Sequence, residues 1–265
     1  MPYAYNSGTR INYRVIGEGP ALVMQHGFTS SLDHWVEYGY TCQLADDYRL
    51  ILIDARGHGL SDKPHTVESY KLEHRVQDVI SVLDQQNIQI ANFHGYSMGG
   101  RIGFGMAQFA AERLKSLVVG GMHPYSSDDD FPSSRWSKIL DQEDIEQVAR
   151  TLEVHGGPMS PTHRERFLRN DPKALLASIK ASENMPVDID LAVTRAECPL
   201  MLYVGEDDDY SAGVKRLANS LDNCKFVSFP GLKHLEVSRK SACVIPHLKS
   251  FLKIANADQS EKAMT

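Results

Sequence analysis

Along the chain, short apolar runs recur at intervals the length of a helix. Arg10 to Ile16, Ala21 to Gln25, Arg49 to Ile53, Ile90 to His94, Leu117 to Gly120, Leu200 to Val204 and Lys225 to Phe229 each read as a strand, and several are apolar without interruption. The segments between them change period. Leu72, Val76, Val79, Ile80 and Leu83 recur at the three- and four-residue steps that gather side chains on one helix face. Strands apolar on both faces, alternating with helices, predict βαβ units in an α/β fold: a mostly parallel central sheet with helices on both faces.

The strand pattern stops between about Pro124 and Pro186, a stretch that holds six of the twelve prolines. It carries short amphipathic segments such as Ser137 to Leu152, and apolar residues (Phe131, Trp136, Ile139, Phe167, Leu175) that need something to cover. We therefore expect residues 124–186 to form an inserted helical cap, with residues 1–123 and 187–256 making the core and 257–265 a disordered tail. No internal repeat or low-complexity tract interrupts this plan.

Composition narrows the function. At 265 residues the chain is long enough for one sizeable core and short for two domains of ordinary size. With 28 Lys plus Arg against 34 Asp plus Glu, the net charge of −6 offers no basic field to a phosphate backbone, so a small-molecule partner is expected and nucleic acid is not. Four cysteines (Cys42, Cys198, Cys224 and Cys243) form no C-x-x-C pair, which argues against a disulfide framework or a zinc ribbon and for reduced, buried thiols. The first residues lack a charged start followed by an apolar core, and no later stretch approaches the 18 apolar residues of a membrane span, so a soluble, cytoplasmic protein with no membrane partner is expected. Oligomeric state is not legible.

The chemistry enters at Gly95-Tyr96-Ser97-Met98-Gly99, a G-x-S-x-G that directly follows an apolar strand and precedes a helix-compatible segment. A serine lifted onto a sharp strand-to-helix turn has a strained backbone. The flanking chain segments then come so close that positions two before and two after tolerate little more than a hydrogen, which Gly95 and Gly99 supply.

With this motif the chain resembles the α/β-hydrolase family, over about residues 8–254. Gln25-His26-Gly27-Phe28 resembles the family's His-Gly turn, Asp54-Ala-Arg56-Gly57-His58-Gly59-Leu60-Ser61 its D-x-R-G-x-G-x-S loop, and Gly231-Leu-Lys-His234 its G-x-x-H, all in family order. The resemblance implies a nucleophile, acid and base in that order along the chain. Five of the eleven histidines follow Ser97. His123 sits where the expected cap begins, His155 and His163 lie inside it, and His247 falls in the last helical pattern. His234, in a short Pro-Gly loop after a late strand, is the expected base. Family spacing after Leu200 to Gly205 selects Asp208 as the acid, with Asp207 or Asp209 taking its place if the turn is shifted.

By the same resemblance the backbone N–H groups of Phe28 and Met98 form the oxyanion hole. Tyr96, Arg101, Met122 and Trp136 are the expected pocket residues. His26 and His58 are expected to bond neighbouring loops, and Arg56 to sit in a buried ion pair. The acidic run Asp128-Asp129-Asp130 reads as a solvated cap entrance.

A serine at the elbow argues against the haloalkane dehalogenases and epoxide hydrolases of this fold, which use aspartate there. Acyl transfer to water is then the expected reaction, on a small to medium apolar ester or lactone, with no metal or organic cofactor because nucleophile, base and donors all come from the chain. Two alternatives remain open at this point. One is a lyase or C–C bond hydrolase with the same triad, since the elbow and Arg101 are similar to those of 2-succinyl-6-hydroxy-2,4-cyclohexadiene-1-carboxylate synthases. The other is a ligand sensor that turns over slowly.

Overall fold

The computed structural model describes residues 2–125, 133–142, 144–156, 158–183 and 198–262. Eight strands form one sheet: β1 (Tyr3–Asn6), β2 (Thr9–Ile16), β3 (Ala21–Gln25), β4 (Arg49–Ile53), β5 (Ala91–Tyr96), β6 (Leu114–Gly120), β7 (Leu200–Gly205) and β8 (Cys224–Phe229), in the spatial order β1-β2-β4-β3-β5-β6-β7-β8. The first two pairings, β1 with β2 and β2 with β4, are antiparallel; every later one is parallel. β1 is the strand that apolar patterning did not predict. It is only four residues long, with one of them buried, and it forms because Ser7 (φ 48°) and Gly8 (φ 82°) fold the chain back on itself in a two-residue turn.

The unbroken apolar runs are explained by burial on both sheet faces. Alternate residues of one strand point to opposite sides. Leu50 and Leu52 of β4 join Leu22 and Met24 of β3 on one face, while Ile51, Ile53 and Val23 face the other. The first face is covered by α1 (Asp33–Glu37), α2 (Tyr40–Leu44) and the C-terminal helices, through Trp35, Leu44, Val244 and Leu248. The second is covered by α3 (Leu72–Gln85), whose Val76, Val79 and Leu83 pack inward, and by α4 (Met98–Phe109) through Ile102 and Met106.

Between β6 and β7 the described chain is helical: α5 (Ser133–Asp141), α6 (Ile145–Gly156), α7 (Pro161–Leu168) and α8 (Pro172–Glu183). Ile139, Leu140, Val148, Phe167, Leu175 and Ile179 form a small apolar cluster of their own, against which Phe28 packs. Phe131, the acidic run 128–130 and the boundary expected at 187 lie outside the described residues. After β7 come α9 (Ser211–Asn219), β8, α10 (His234–Arg239) and α11 (Ser241–Lys262).

Two expectations are corrected here. The chain over 257–262, expected to be disordered, continues α11, because no glycine or proline after Ala255 stops the helix; 263–265 lie outside the described residues. The cysteines are free, but they are not all buried: Cys42 and Cys243 are exposed. Among the described residues no helix is long and apolar enough to cross a membrane.

Candidate active site

β5 runs straight into Ser97, and α4 begins one residue later. Ser97 has φ 54° and ψ −117°, a backbone conformation that L-residues rarely adopt. The turn is possible only because its neighbours are glycines. A Cβ on Gly95 would lie 2.1 Å from the Gly99 carbonyl oxygen, and one on Gly99 would lie 2.0 Å from that of Gln25. The Ser97 N–H donates to the Gly120 carbonyl (2.8 Å), which ties the elbow to the end of the adjacent strand β6.

The acid and base arrive from the far side of the sheet. Past the end of β7, the Glu206 and Asp207 N–H groups bond to Phe229 and Leu232, so the loop after β7 follows the loop after β8. This turn decides among the clustered carboxylates. Asp208 is buried, whereas Glu206, Asp207 and Asp209 are exposed. Asp208 Oδ1 accepts the Tyr210 N–H (3.0 Å), and Oδ2 accepts from His234 Nδ1 (2.8 Å). His234 Nε2 in turn lies 3.0 Å from Ser97 Oγ. A carboxylate on Nδ1 requires that nitrogen to carry the hydrogen in the neutral ring, which leaves Nε2 as the acceptor facing the serine hydroxyl.

The loop after β3 supplies the opposite wall. His26 Nδ1 donates to its neighbour, the Gly27 carbonyl (2.8 Å), and His26 Nε2 accepts the Ala55 N–H (3.1 Å), so both ring nitrogens are occupied and the tautomer is set. Burial holds this histidine below its ordinary pKa. Gly27 O also accepts the Ser30 N–H (3.3 Å). In a trans peptide the carbonyl and the following N–H point in opposite directions, so anchoring Gly27 O aims the Phe28 N–H to the other side of the turn. Among the described residues neither this N–H nor that of Met98 has a protein acceptor. Arg56 forms a buried, two-pronged pair with Asp78 at 2.6 and 2.5 Å, as expected. His58 instead bonds within its own loop, to the Arg56 carbonyl (3.1 Å), and among the described residues not to a neighbouring loop.

Ser97 and His234 open onto a cavity of about 110 Å³. Of the two expected oxyanion donors, Phe28 lines it and Met98 is not among the lining residues; of the residues expected in the pocket, Tyr96 lines it. Met122 does not; it is buried in the core, with its Cβ packed toward Gly100. Arg101 is not among the cavity's lining residues either. It lies a helical turn past Ser97, where its guanidinium donates to the Ser182 carbonyl of α8 (3.4 Å), and burial lowers its pKa. The side chain of Trp136 lies outside the described residues. Sequence reasoning missed His34, Leu152, His163, Phe167, Ser238 and Arg239, which all line the cavity. Ser238 had a signal: four residues past His234 on one helix, it returns to the same face. Among the described residues no cluster of His, Cys, Asp or Glu is arranged to hold a metal ion.

Comparisons with known proteins agree with this architecture. The sequence model of the family described as "alpha/beta hydrolase fold" matches residues 20–210. A Bacillus subtilis (strain 168) protein named "Putative 2-succinyl-6-hydroxy-2,4-cyclohexadiene-1-carboxylate synthase" is 36% identical over 118 residues, a match spanning 43% of this chain and 42% of that relative. The "Bifunctional esterase/perhydrolase DCH" of Acinetobacter calcoaceticus is 23% identical over 270 residues, covering 93% of this chain and 97% of its own. Among solved structures, the enol-lactonase from Burkholderia xenovorans LB400 superposes with a TM-score of 0.82 at 21% identity, over 95% of this chain and 100% of that one. The chain spans less than half the length of the first curated relatives it matches. With its fold, its strand-to-helix elbow and a family match over most of its length, this chain belongs to the alpha/beta hydrolase fold family.

Proposed function

We propose that this protein hydrolyses a carboxylic ester or lactone of small to medium apolar character through a Ser97–His234–Asp208 triad and an acyl-enzyme. The observation that carries the proposal is the unbroken hydrogen-bonded path from Asp208 Oδ2 through His234 to Ser97 Oγ, ending at a serine that faces a cavity.

In this mechanism His234 Nε2 takes the Ser97 proton as Oγ attacks the substrate carbonyl carbon, and Asp208 stabilises the imidazolium that results. The negative charge on the tetrahedral oxygen is met by the N–H groups of Phe28 and Met98. Collapse breaks the ester C–O bond, and the leaving alkoxide takes its proton from His234. Water then repeats the sequence on the acyl-enzyme, giving the carboxylic acid and restoring Ser97. Helices α5–α8 act as a cap over the cavity and set substrate choice through residues such as Leu152 and Phe167. No cofactor takes part, and the partner is a small molecule.

The similarity to the Bacillus subtilis protein motivates a lyase as the second reading. That reading drew its residue-level support from Arg101 reaching a substrate carboxylate, and Arg101 reaches α8 instead. Ester or lactone hydrolysis therefore leads.

The test uses a fluorophosphonate probe together with p-nitrophenyl acetate, butyrate and octanoate, on wild type and Ser97→Ala. Labelling and ester release that both vanish in Ser97→Ala support the proposal. Labelling without turnover shifts the reading to the lyase or the slow sensor, and a wild type that is not labelled overturns the triad.

A further inference from the structure

The cavity has a polar end that the hydrolytic steps do not use. His34 of α1 meets Ser238 and Arg239 of α10 there, with His163 of α7 beside them. His34 Nε2 lies 3.1 Å from the Ser238 carbonyl oxygen. A carbonyl only accepts, so Nε2 carries a hydrogen. Burial, reinforced by the nearby His26, His163 and Arg239, pulls the His34 pKa down to about 3; the ring is neutral near pH 7 and has that one hydrogen. Nδ1 is therefore a bare acceptor. Among the described residues it has no partner, and the ring lines the cavity.

A bare lone pair beside His163, Ser238 and Arg239, in a cavity also lined by Leu152, Met159 and Phe167, discriminates between chemical groups. A hydrocarbon placed against it leaves a half-buried acceptor unpaired. A carboxylate can be drawn to Arg239 but sets lone pair against lone pair at His34 Nδ1 and leaves that acceptor unpaired. An ammonium group donates, but the Arg239 guanidinium, close enough to depress His34, repels a second cation. A hydroxyl donates without a charge. We infer that the substrate is a hydroxylated ester or lactone whose hydroxyl group donates to His34 Nδ1, an inference that rests on the ester chemistry proposed for Ser97.

The test compares p-nitrophenyl 3-hydroxybutyrate and 3-hydroxyhexanoate with the unsubstituted butyrate and hexanoate, adding p-nitrophenyl hemisuccinate as the carboxylate arm. Two variants separate the ring's two jobs. In His34→Gln the amide nitrogen takes the place of Nε2 and keeps the donor to Ser238 while removing the Nδ1 acceptor. In His34→Asn the amide oxygen takes the place of Nδ1 while the donor to Ser238 is lost. The expected result is a kcat/KM ratio, hydroxylated over plain, of about ten or more in wild type, retained in His34→Asn and close to one in His34→Gln. A wild-type ratio near one, a preference for the hemisuccinate, or a ratio that survives in His34→Gln overturns the inference. Calorimetric binding of the same esters to Ser97→Ala reads the preference without turnover, so failure of the hydrolase proposal and failure of the His34 assignment give different results.

Discussion

The hydroxyl of Tyr96 donates a hydrogen bond to the main-chain carbonyl of His234. The residue before the proposed nucleophile thus holds the backbone of the proposed base, across 138 positions of sequence. Their rings lie 5.2 Å apart, and burial raises the Tyr96 pKa well above its ordinary value, so the phenol remains a donor through the working range. Removing the hydroxyl with Tyr96→Phe leaves the His234 carbonyl without this donor, at a cost of about 1–2 kcal/mol. We expect kcat/KM to fall about tenfold on p-nitrophenyl butyrate with the fold intact. Circular dichroism and steady-state kinetics check this together, and an unchanged kcat/KM would rule out the clamp.

Three neighbouring aspartates should behave very differently. Asp208 alone of Asp207, Asp208 and Asp209 is buried and bonded to His234. Asp208→Asn is expected to lower kcat by about 10³- to 10⁴-fold by disturbing the His234 tautomer. Asp207→Asn and Asp209→Asn are expected to stay within about twofold of wild type, as surface substitutions do. Equal losses in all three would show that the loop works as a charge cluster rather than through one partner.

His26 orients the peptide whose N–H is the proposed Phe28 oxyanion donor, through its bond to Gly27 O. His26→Ala removes that anchor and is expected to cost about 10²-fold in kcat with little change in KM, the mark of an interaction made in the transition state. His26→Asn, whose side-chain nitrogen takes the place of Nδ1, is expected to recover part of the loss. A fall in thermal stability with kcat unchanged in both variants would make His26 a purely structural residue.

Buried histidines make stability depend on acid. Burial lowers the pKa values of His34 and His94 to about 3, from an ordinary value near 6.5. Each ring is then proton-free in the folded state while the unfolded chain binds a proton below pH 6.5. The stability they contribute is present above pH 6.5 and is lost as the pH falls toward 3, at about 1.4 kcal/mol per pH unit for each proton. Urea unfolding at pH 7.5, 6.0 and 5.0 should show this decline. His94→Gln, which cannot titrate, should flatten it by about one proton, and an unflattened slope would place the effect elsewhere.

Much of this molecule was legible in its order of residues, for reasons that are local. A run such as Leu50-Ile51-Leu52-Ile53 must be buried on both sides, and that alone requires a covered, mostly parallel sheet. Gly95 and Gly99 around Ser97 mark a turn too tight for any Cβ, so the elbow and its serine were readable from five residues. The D-x-R-G loop and the late G-x-x-H fell in family order, and His234 with them. β1 escaped because its pairing comes from a turn and edge hydrogen bonds rather than from an apolar run.

What only the tertiary structure decided depends on groups distant in sequence. That Asp208 and not its neighbours bonds His234 follows from the loop after β7 following the loop after β8, which buries one carboxylate and leaves the flanking ones in water. Arg101 is expected in the pocket from its place after the elbow and Met122 from its place after a strand end, but Arg101 bonds α8 and Met122 packs in the core. The cavity wall joins His34 of α1 to Phe167 of α7 and Ser238 of α10, segments about 130 and 70 positions apart, and no local pattern encodes such a meeting. Hydrophobic period and turn chemistry act over a few residues and so are written in the chain; the cavity's shape depends on how completed elements pack, which is set only after they meet.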